Sequence, residues 1–209
     1  MGERLLAIDT ATIACSVALF DDGVLIASNY AEIGRGHAEK LIPAIAGLPD
    51  RGKADKILVN CGPGSFTGVR IGISAAKALA LAWGANIQGY SCLALVAAQA
   101  QEQLDVPLPV CVAMLAGHGE YFVQNFSSNG KALEPFAALT PEQATDAVKA
   151  DIIAGSAATE LATSVGSDIH FPILPNAKYI YLVSDEMKKM PATATYGRKP
   201  DAQPAAITG

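Results

Sequence analysis

The groups able to do chemistry are few and dispersed along the 209 residues. Asp9-Thr10 follows a short apolar run, Leu5–Ile8. A carboxylate in such a turn can hold a magnesium-bound water, or it can simply bond its own backbone. His37, His118 and His170 are scattered, with spacings that suit no mononuclear metal site, and they read as surface or capping imidazoles. Cys15, Cys61, Cys92 and Cys111 lie far apart, each in an apolar run, with no Cys-x-x-Cys pair and no nearby histidine pair. Four reduced, buried thiols are expected. Ser65 and Ser74 are followed by no Asp/His arrangement that would make a nucleophile of either. On these grounds no catalytic residue and no metal site is expected.

The densest signal is Gly62-Pro63-Gly64-Ser65-Phe66-Thr67-Gly68, continuing through Val69-Arg70-Ile71-Gly72 to Lys77. A glycine-rich loop before a helix can cradle an anion, but the Gly-Lys-Ser/Thr ending of a phosphate loop is missing. Gly64, Gly68, Gly72 and Ala76 instead recur every four residues, a row of near-absent side chains that makes a groove on one helix face. Each helical glycine costs about 1 kcal/mol relative to alanine, so the row requires a compensating contact. That contact is either internal, against the sheet or the helix near residues 37–48, or with a partner helix; the partner-facing reading is adopted as the expectation. Arg70 and Lys77, seven residues apart, share a face and complete the expected interface.

The elements that must position these groups follow from periodicity. Leu5–Ile8, Cys15–Phe20 and Val24–Tyr30 read as a three-stranded meander whose turns are Asp9–Thr12 and Asp21-Asp22-Gly23. Leu41, Ile42, Ile45 and Leu48 mark an amphipathic helix from His37, kinked or started by Pro43. Lys56–Cys61 is a buried strand, and Ser65 caps a helix reaching Gly84. Asn86–Tyr90 and Leu93–Leu104 give a further strand and helix, before the Val106-Pro107-Leu108-Pro109 boundary. Beyond it come a strand at Val110–Leu115, a hairpin of Glu120–Phe126 and Ala132–Ala137 around Asn129-Gly130, a helix from Thr140-Pro141 to about Ala150, a strand at Asp151–Ala154 and a short helix to about Ser164. Residues 185–209 read as a helical turn and a loose tail. The domains are therefore expected at 1–106, 107–184 and 185–209.

Composition narrows the function classes. Apolar residues make up 51% and charged residues 17%, so most of the chain folds. The net charge of −5 is spread evenly, with no basic footprint for nucleic acid. Between Arg70 and Glu102 Lys77 is the sole charge, yet polar residues and glycines break that stretch below the length of a membrane span. No apolar leader precedes the first strand, and a cytoplasmic location is expected.

Three segments carry a family resemblance: Leu6–Thr12 with Cys15–Leu19, His37–Pro43, and Gly62–Gly72 leading into Lys77–Ala80. They resemble the TsaB (YeaZ) family, bacterial relatives of the TsaD/Kae1 tRNA-modification proteins, across residues 5–95. The second half is similar only in patches, at Gly119-Glu120-Tyr121 and at Tyr196-Gly197-Arg198-Lys199; where the family has an Asp and an Arg before Gly-Glu, this chain has Leu115 and Gly117. The resemblance implies an α/β, actin-like ATPase (ASKHA/Hsp70-like) fold of two lobes, each a mixed sheet flanked by helices, the second reduced. It implies a non-catalytic dimerisation subunit of the tRNA N6-threonylcarbamoyladenosine(37) machinery, pairing with a TsaD-like subunit and a TsaE-like ATPase. tRNA would be met only through that complex, and the chain alone is either a homodimer or a monomer. It further implies that the Asp9-Thr10 turn faces nucleotide phosphates, with ATP and magnesium entering at the level of the complex and no cofactor on this chain by itself. TsaD-like chains hold a metal through an H-x-x-x-H pair whose matching positions here are Ser91 and Leu95. A small-molecule phosphotransferase or ATPase on the same fold is the alternative, and a glycoprotease is disfavoured by the missing histidines.

Overall fold

The computed structural model describes residues 2–197. Its first sheet is built from β1 (Arg4–Asp9), β2 (Ala14–Asp21), β3 (Val24–Glu32), β4 (Lys56–Asn60) and β5 (Asn86–Tyr90), in the order β3-β2-β1-β4-β5. The β1–β2 and β2–β3 pairs are antiparallel, and β1–β4 and β4–β5 are parallel. The second sheet contains β6 (Val110–Leu115), β7 (Tyr121–Phe126), β8 (Ala137–Leu139), β9 (Ile152–Ala154) and β10 (Ile169–Phe171), ordered β10-β9-β6-β7-β8. Its meander is again antiparallel and its crossovers parallel. The two sheets thus repeat one topology, which the sequence pattern conceals because β8, β9 and β10 have only three residues each.

Alternation along the strands distributes the core into layers. Leu6 and Ile8 of β1 face α1 (His37–Ala46) and α2 (Phe66–Trp83), packing with Leu41, Ile45, Val69 and Ile73. Leu5 and Ala7 face the opposite way, toward α3 (Cys92–Gln101). From the other side Val110, Val112 and Met114 of β6 meet that same helix, while Cys111 and Ala113 turn away to α4 (Pro141–Ala147) and α5 (Ala158–Val165). Helix α3 therefore lies between the two sheets, which explains why Cys92–Ala100 is buried on every side. The Val106–Pro109 segment joins α3 to β6, but one continuous core passes from the first sheet to the second.

Most expected elements form, and their departures have physical reasons. Ser65 caps α2, its hydroxyl accepting from the Gly68 N–H at 3.2 Å, and Gly84 ends the helix in the left-handed region at φ 67°. Pro43 sits within α1 instead of starting it. Strand β3 is exposed along nearly its whole length because it is an edge strand. The Asn129-Gly130 turn closes, with Phe126 bridging Ala132, but regular pairing does not continue over 132–137. There the Asn125 N–H and Nδ2 donate to Glu134 Oε1 at 2.9 and 2.8 Å, pulling the chain out of register until β8. The same asparagine ends α4 at Ala147, short of Ala150, by donating to the Ala147 carbonyl and accepting from the Lys149 N–H. Of the expected loose tail, a helical turn does form at Glu186–Lys188, but 189–197 is seated on the first sheet and α2; 198–209 lies outside the described residues.

The row of small residues on α2 is also corrected. It faces inward, and the groove expected for a partner is filled by the chain's own first turn. A Cβ at Gly64 would run into the Ala11 carbonyl, one at Gly68 into the Thr10 carbonyl, and one at Gly72 into Thr10 Oγ1; Ala76 is wholly buried. Only Arg70 and Lys77, of the expected interface, point outward. Gly72→Leu should therefore lower stability by about 1–3 kcal/mol, several degrees in melting temperature for a chain of this size. Differential scanning calorimetry checks this. Gly72→Ala should cost less when Thr10→Ala is also present, since the atom it strikes is then gone.

Candidate functional site

The turn after β1 carries a buried polar network that joins several elements. Asp9 is fully buried, and three donors converge on it: Asn60 Nδ2 and Tyr90 Oη on Oδ2, and the Ala11 N–H on Oδ1 at 3.1 Å. Asn60 in turn accepts from the Gly62 N–H at 2.7 Å, and Tyr90 Oη also reaches the Ile8 carbonyl at 3.0 Å. Thr10 is 1% exposed and donates to the Gly68 carbonyl at 2.7 Å. These bonds tie the ends of β1, β4, β5 and α2 together. Burial pushes the Asp9 carboxyl up to about 6 against the pull of its three donors.

A cleft of about 830 Å³ opens above this network, between the two sheets. The first turn contributes Ala11–Ile13, the loop before α1 contributes Gly34–His37, and the α2 N-terminus contributes Pro63–Gly68. The second lobe supplies Met114–Gly117, Phe122 and Ser156. Its walls are mostly apolar, with Ile13 52% exposed at the rim; Arg35 and Glu39 are the charged residues lining it. Asp9 and Thr10, expected to face phosphates here, lie beneath the surface and line no part of it. Their side chains are turned into the strand ends and the glycine row, so neither is presented to a ligand.

The remaining candidates are placed as follows. Ser91 caps α3, accepting from the Ala94 N–H at 3.3 Å, and Leu95 is wholly buried between the sheets, so neither presents a metal ligand. Among the described residues no three His, Cys, Asp or Glu side chains converge. His37 is 7% exposed, its Nε2 3.2 Å from the Ala14 carbonyl; His118 and His170 are exposed. All four cysteines are free and buried, as expected. Burial pushes Cys15 and Cys61 up to about 11 and Cys111 to about 12, the opposite of a reactive thiolate. Arg70 does not stand free on its helix: its guanidinium lies 3.5 Å above the Phe66 ring, and its Nε donates to Tyr196 Oη at 2.9 Å. Sequence reasoning singled out both Arg70 and Tyr196 but could not join residues 126 positions apart.

The family profile described as TsaD, tRNA N6-adenosine threonylcarbamoyltransferase, matches residues 31–194. The chain belongs to this family. Within it the chain is of the TsaB/YeaZ kind: it is 35% identical over 148 residues to the tRNA threonylcarbamoyladenosine biosynthesis protein TsaB of Escherichia coli, a match covering 66% of this chain and 63% of that protein's length. An uncharacterised protein of Mycobacterium tuberculosis is 28% identical over 98% of this chain and 96% of its own. YeaZ from Pseudomonas aeruginosa superposes with a TM-score of 0.74 at 28% identity, covering 93% of this chain and 99% of that one. The ethanolamine utilization protein EutJ of Carboxydothermus hydrogenoformans, 11% identical with a TM-score of 0.52, shares the fold alone. That fold is the actin-like ATPase fold, two mixed sheets flanked by helices.

The buried carboxylate sets a pH dependence. Its folded-state value of about 6 lies above the ordinary 3.8, so the fold holds the proton more tightly than the unfolded chain does. Its contribution to stability is therefore greatest at low pH and is lost as pH rises from 4 through about 6, opposite in sign to a salt-bridged carboxylate. A carbon-detected NMR titration of Asp9 should show a midpoint near 6. In Tyr90→Phe, which removes one donor to the ionised form, that midpoint should rise.

Proposed function

We propose that the chain is a non-catalytic subunit of the machinery that makes N6-threonylcarbamoyladenosine at position 37 of tRNA, pairing with a TsaD-like catalytic subunit and working with a TsaE-like ATPase. Its similarity to the tRNA threonylcarbamoyladenosine biosynthesis proteins TsaB of Escherichia coli and Bacillus subtilis supports the pathway. The observation that carries the scaffold role is the outer face of the first lobe. Along α2, Phe66, Arg70, Ser74, Lys77 and Leu81 are exposed in one row, Phe66 by 56% and Leu81 by 88%. Ile42 of α1, 49% exposed, stands beside it, and a shallow groove runs between the helices past Leu41, Ile71 and Ala75. Exposed Phe66 and Leu81 at the two ends, Ile42 beside them and the two cations Arg70 and Lys77 between suit an amphipathic helical partner carrying acidic residues. The same face serves self-association when the partner is absent. Its placement is opposite to that expected from the glycine row.

A phosphotransferase or ATPase is the second reading, and the cleft between the lobes is what favours it. Against it stand Asp9 and Thr10, both sealed within the fold. No helix among the described residues is long and apolar enough to cross a membrane, and the reading places the protein in the cytoplasm with its tRNA substrate. The even negative charge supports contact with tRNA through the complex alone.

Co-purification with a TsaD-like protein tests the pairing. Ile42→Asp and Leu81→Asp should each weaken it at least tenfold, about 1.4 kcal/mol, while leaving the melting temperature unchanged because both side chains are exposed. Isothermal titration of the isolated chain with ATP and magnesium should show no micromolar binding. Tight binding there, with turnover, would establish the second reading instead.

A further inference from the structure

The segment from Met190 to Gly197 returns from the second lobe and crosses the carboxyl end of the first sheet. Met190 exchanges two backbone hydrogen bonds with Gly89, at 2.7 and 3.1 Å, on the outer edge of β5. Pro191 lies over Cys61, whose thiol donates to its carbonyl at 3.5 Å, and the Thr195 N–H donates to the Cys61 carbonyl at 2.7 Å. Gly197 packs so closely on Phe122 of the second lobe that a Cβ there would strike the ring. Between Met190 and Tyr196 the side chains are Pro, Ala and Thr, and Ala192 and Ala194 are only partly buried. The specific side-chain hold is concentrated in Tyr196, which bonds Arg70 and stacks on Phe66 with ring centroids 5.4 Å apart.

We propose that Met190–Gly197 is a displaceable strap, clasped by Arg70 between Phe66 and Tyr196, and that its closed state and occupation of the α1–α2 face by a protein partner exclude each other. The second half of this rests on the reading of that face given above. The exclusion follows from shared atoms. Phe66 and Arg70 line the groove between the helices, and in the closed clasp the guanidinium lies across the ring that a partner would contact. A partner that reaches Phe66 must lift Arg70, and lifting Arg70 removes the principal hold on the strap. A strap held by three backbone hydrogen bonds, one weak thiol bond, the Gly197–Phe122 contact and a single aromatic side chain belongs to the low-stability end of a fold. The carboxyl ends of parallel strands, which it covers at β4 and β5, are also where open α/β sheets present their ligand-binding crevices.

Cys61, buried under Pro191, reports the strap. Maleimide labelling of the full-length chain, assigned by peptide mass spectrometry, should be at least tenfold faster at Cys61 in Tyr196→Ala and in Arg70→Met than in the unaltered protein. Cys111, in the second lobe, should stay protected in both; Cys111 labelling would reveal general unfolding, and Tyr196→Phe, which keeps the ring, then serves as the milder variant. Unchanged Cys61 labelling in folded variants overturns the strap. Adding a TsaD-like protein to the unaltered chain should accelerate Cys61 labelling, and Tyr196→Ala should bind that protein several-fold more tightly. Equal binding with Cys61 still protected overturns the exclusion. If the protein binds neither form, the reading of the face falls and the exclusion with it, while the labelling of Tyr196→Ala still decides whether the strap exists.

Discussion

Everything in the first lobe depends on how closely the turn after β1 approaches α2. The helix can lie against that backbone only because Gly64, Gly68 and Gly72 present no side chains to it. Thr10 completes the contact with a hydrogen bond to the Gly68 carbonyl, and the Ser65 N–H bonds the Ala11 carbonyl at 2.7 Å. Directly beneath, Asp9 gathers Asn60 and Tyr90, so that the ends of three strands are held by one carboxylate. In a low-dielectric surrounding such a network is favourable only when every member is satisfied, and Asp9 has a donor on each oxygen. A turn that could have faced a ligand acts here as an internal anchor.

That anchor separates two surfaces of different character. Above it is a mostly apolar cleft between the lobes; on the far side of α2 is a row with exposed Phe66 and Leu81. The glycines determine this division: by drawing α2 onto the first turn, they force Arg70 and Lys77 outward together with the apolar side chains of the same row. The charge-poor stretch between Arg70 and Glu102 accordingly has two explanations. Its second half is α3, buried between the sheets, and only its first half contributes exposed apolar surface.

Much of this was legible in the sequence. The meander, the cap at Ser65, the termination of α2 at Gly84 and the four buried thiols follow from local chemistry acting over a few residues. What was not legible involved distant partners. Periodicity showed that Gly64, Gly68 and Gly72 form a groove, but nothing local says that Thr10 and Ala11 fill it. Ser91 and Leu95 could be recognised as unable to replace a histidine pair, whereas the burial of Asp9 depends on Asn60 and Tyr90, which lie 51 and 81 positions away. In the second lobe, three-residue strands fall below the length at which alternation can be detected, and Asn125 interrupts both the hairpin and α4 through side-chain bonds that no periodic pattern contains.

The position of α3 has a mechanical consequence. With Leu5 and Ala7 on one side of the helix and Val110 and Val112 on the other, any rotation of one sheet against the other must shear a tightly packed layer. Gln99 stiffens that layer further, accepting from the Asn176 N–H while donating to the Leu174 carbonyl, and Ser16 of β2 accepts from the Ala177 N–H. Jaw-like closure, in which two halves pivot about a thin hinge, is incompatible with such a filling. The two lobes are coupled through that packed layer, and the Met190–Gly197 strap lies outside it.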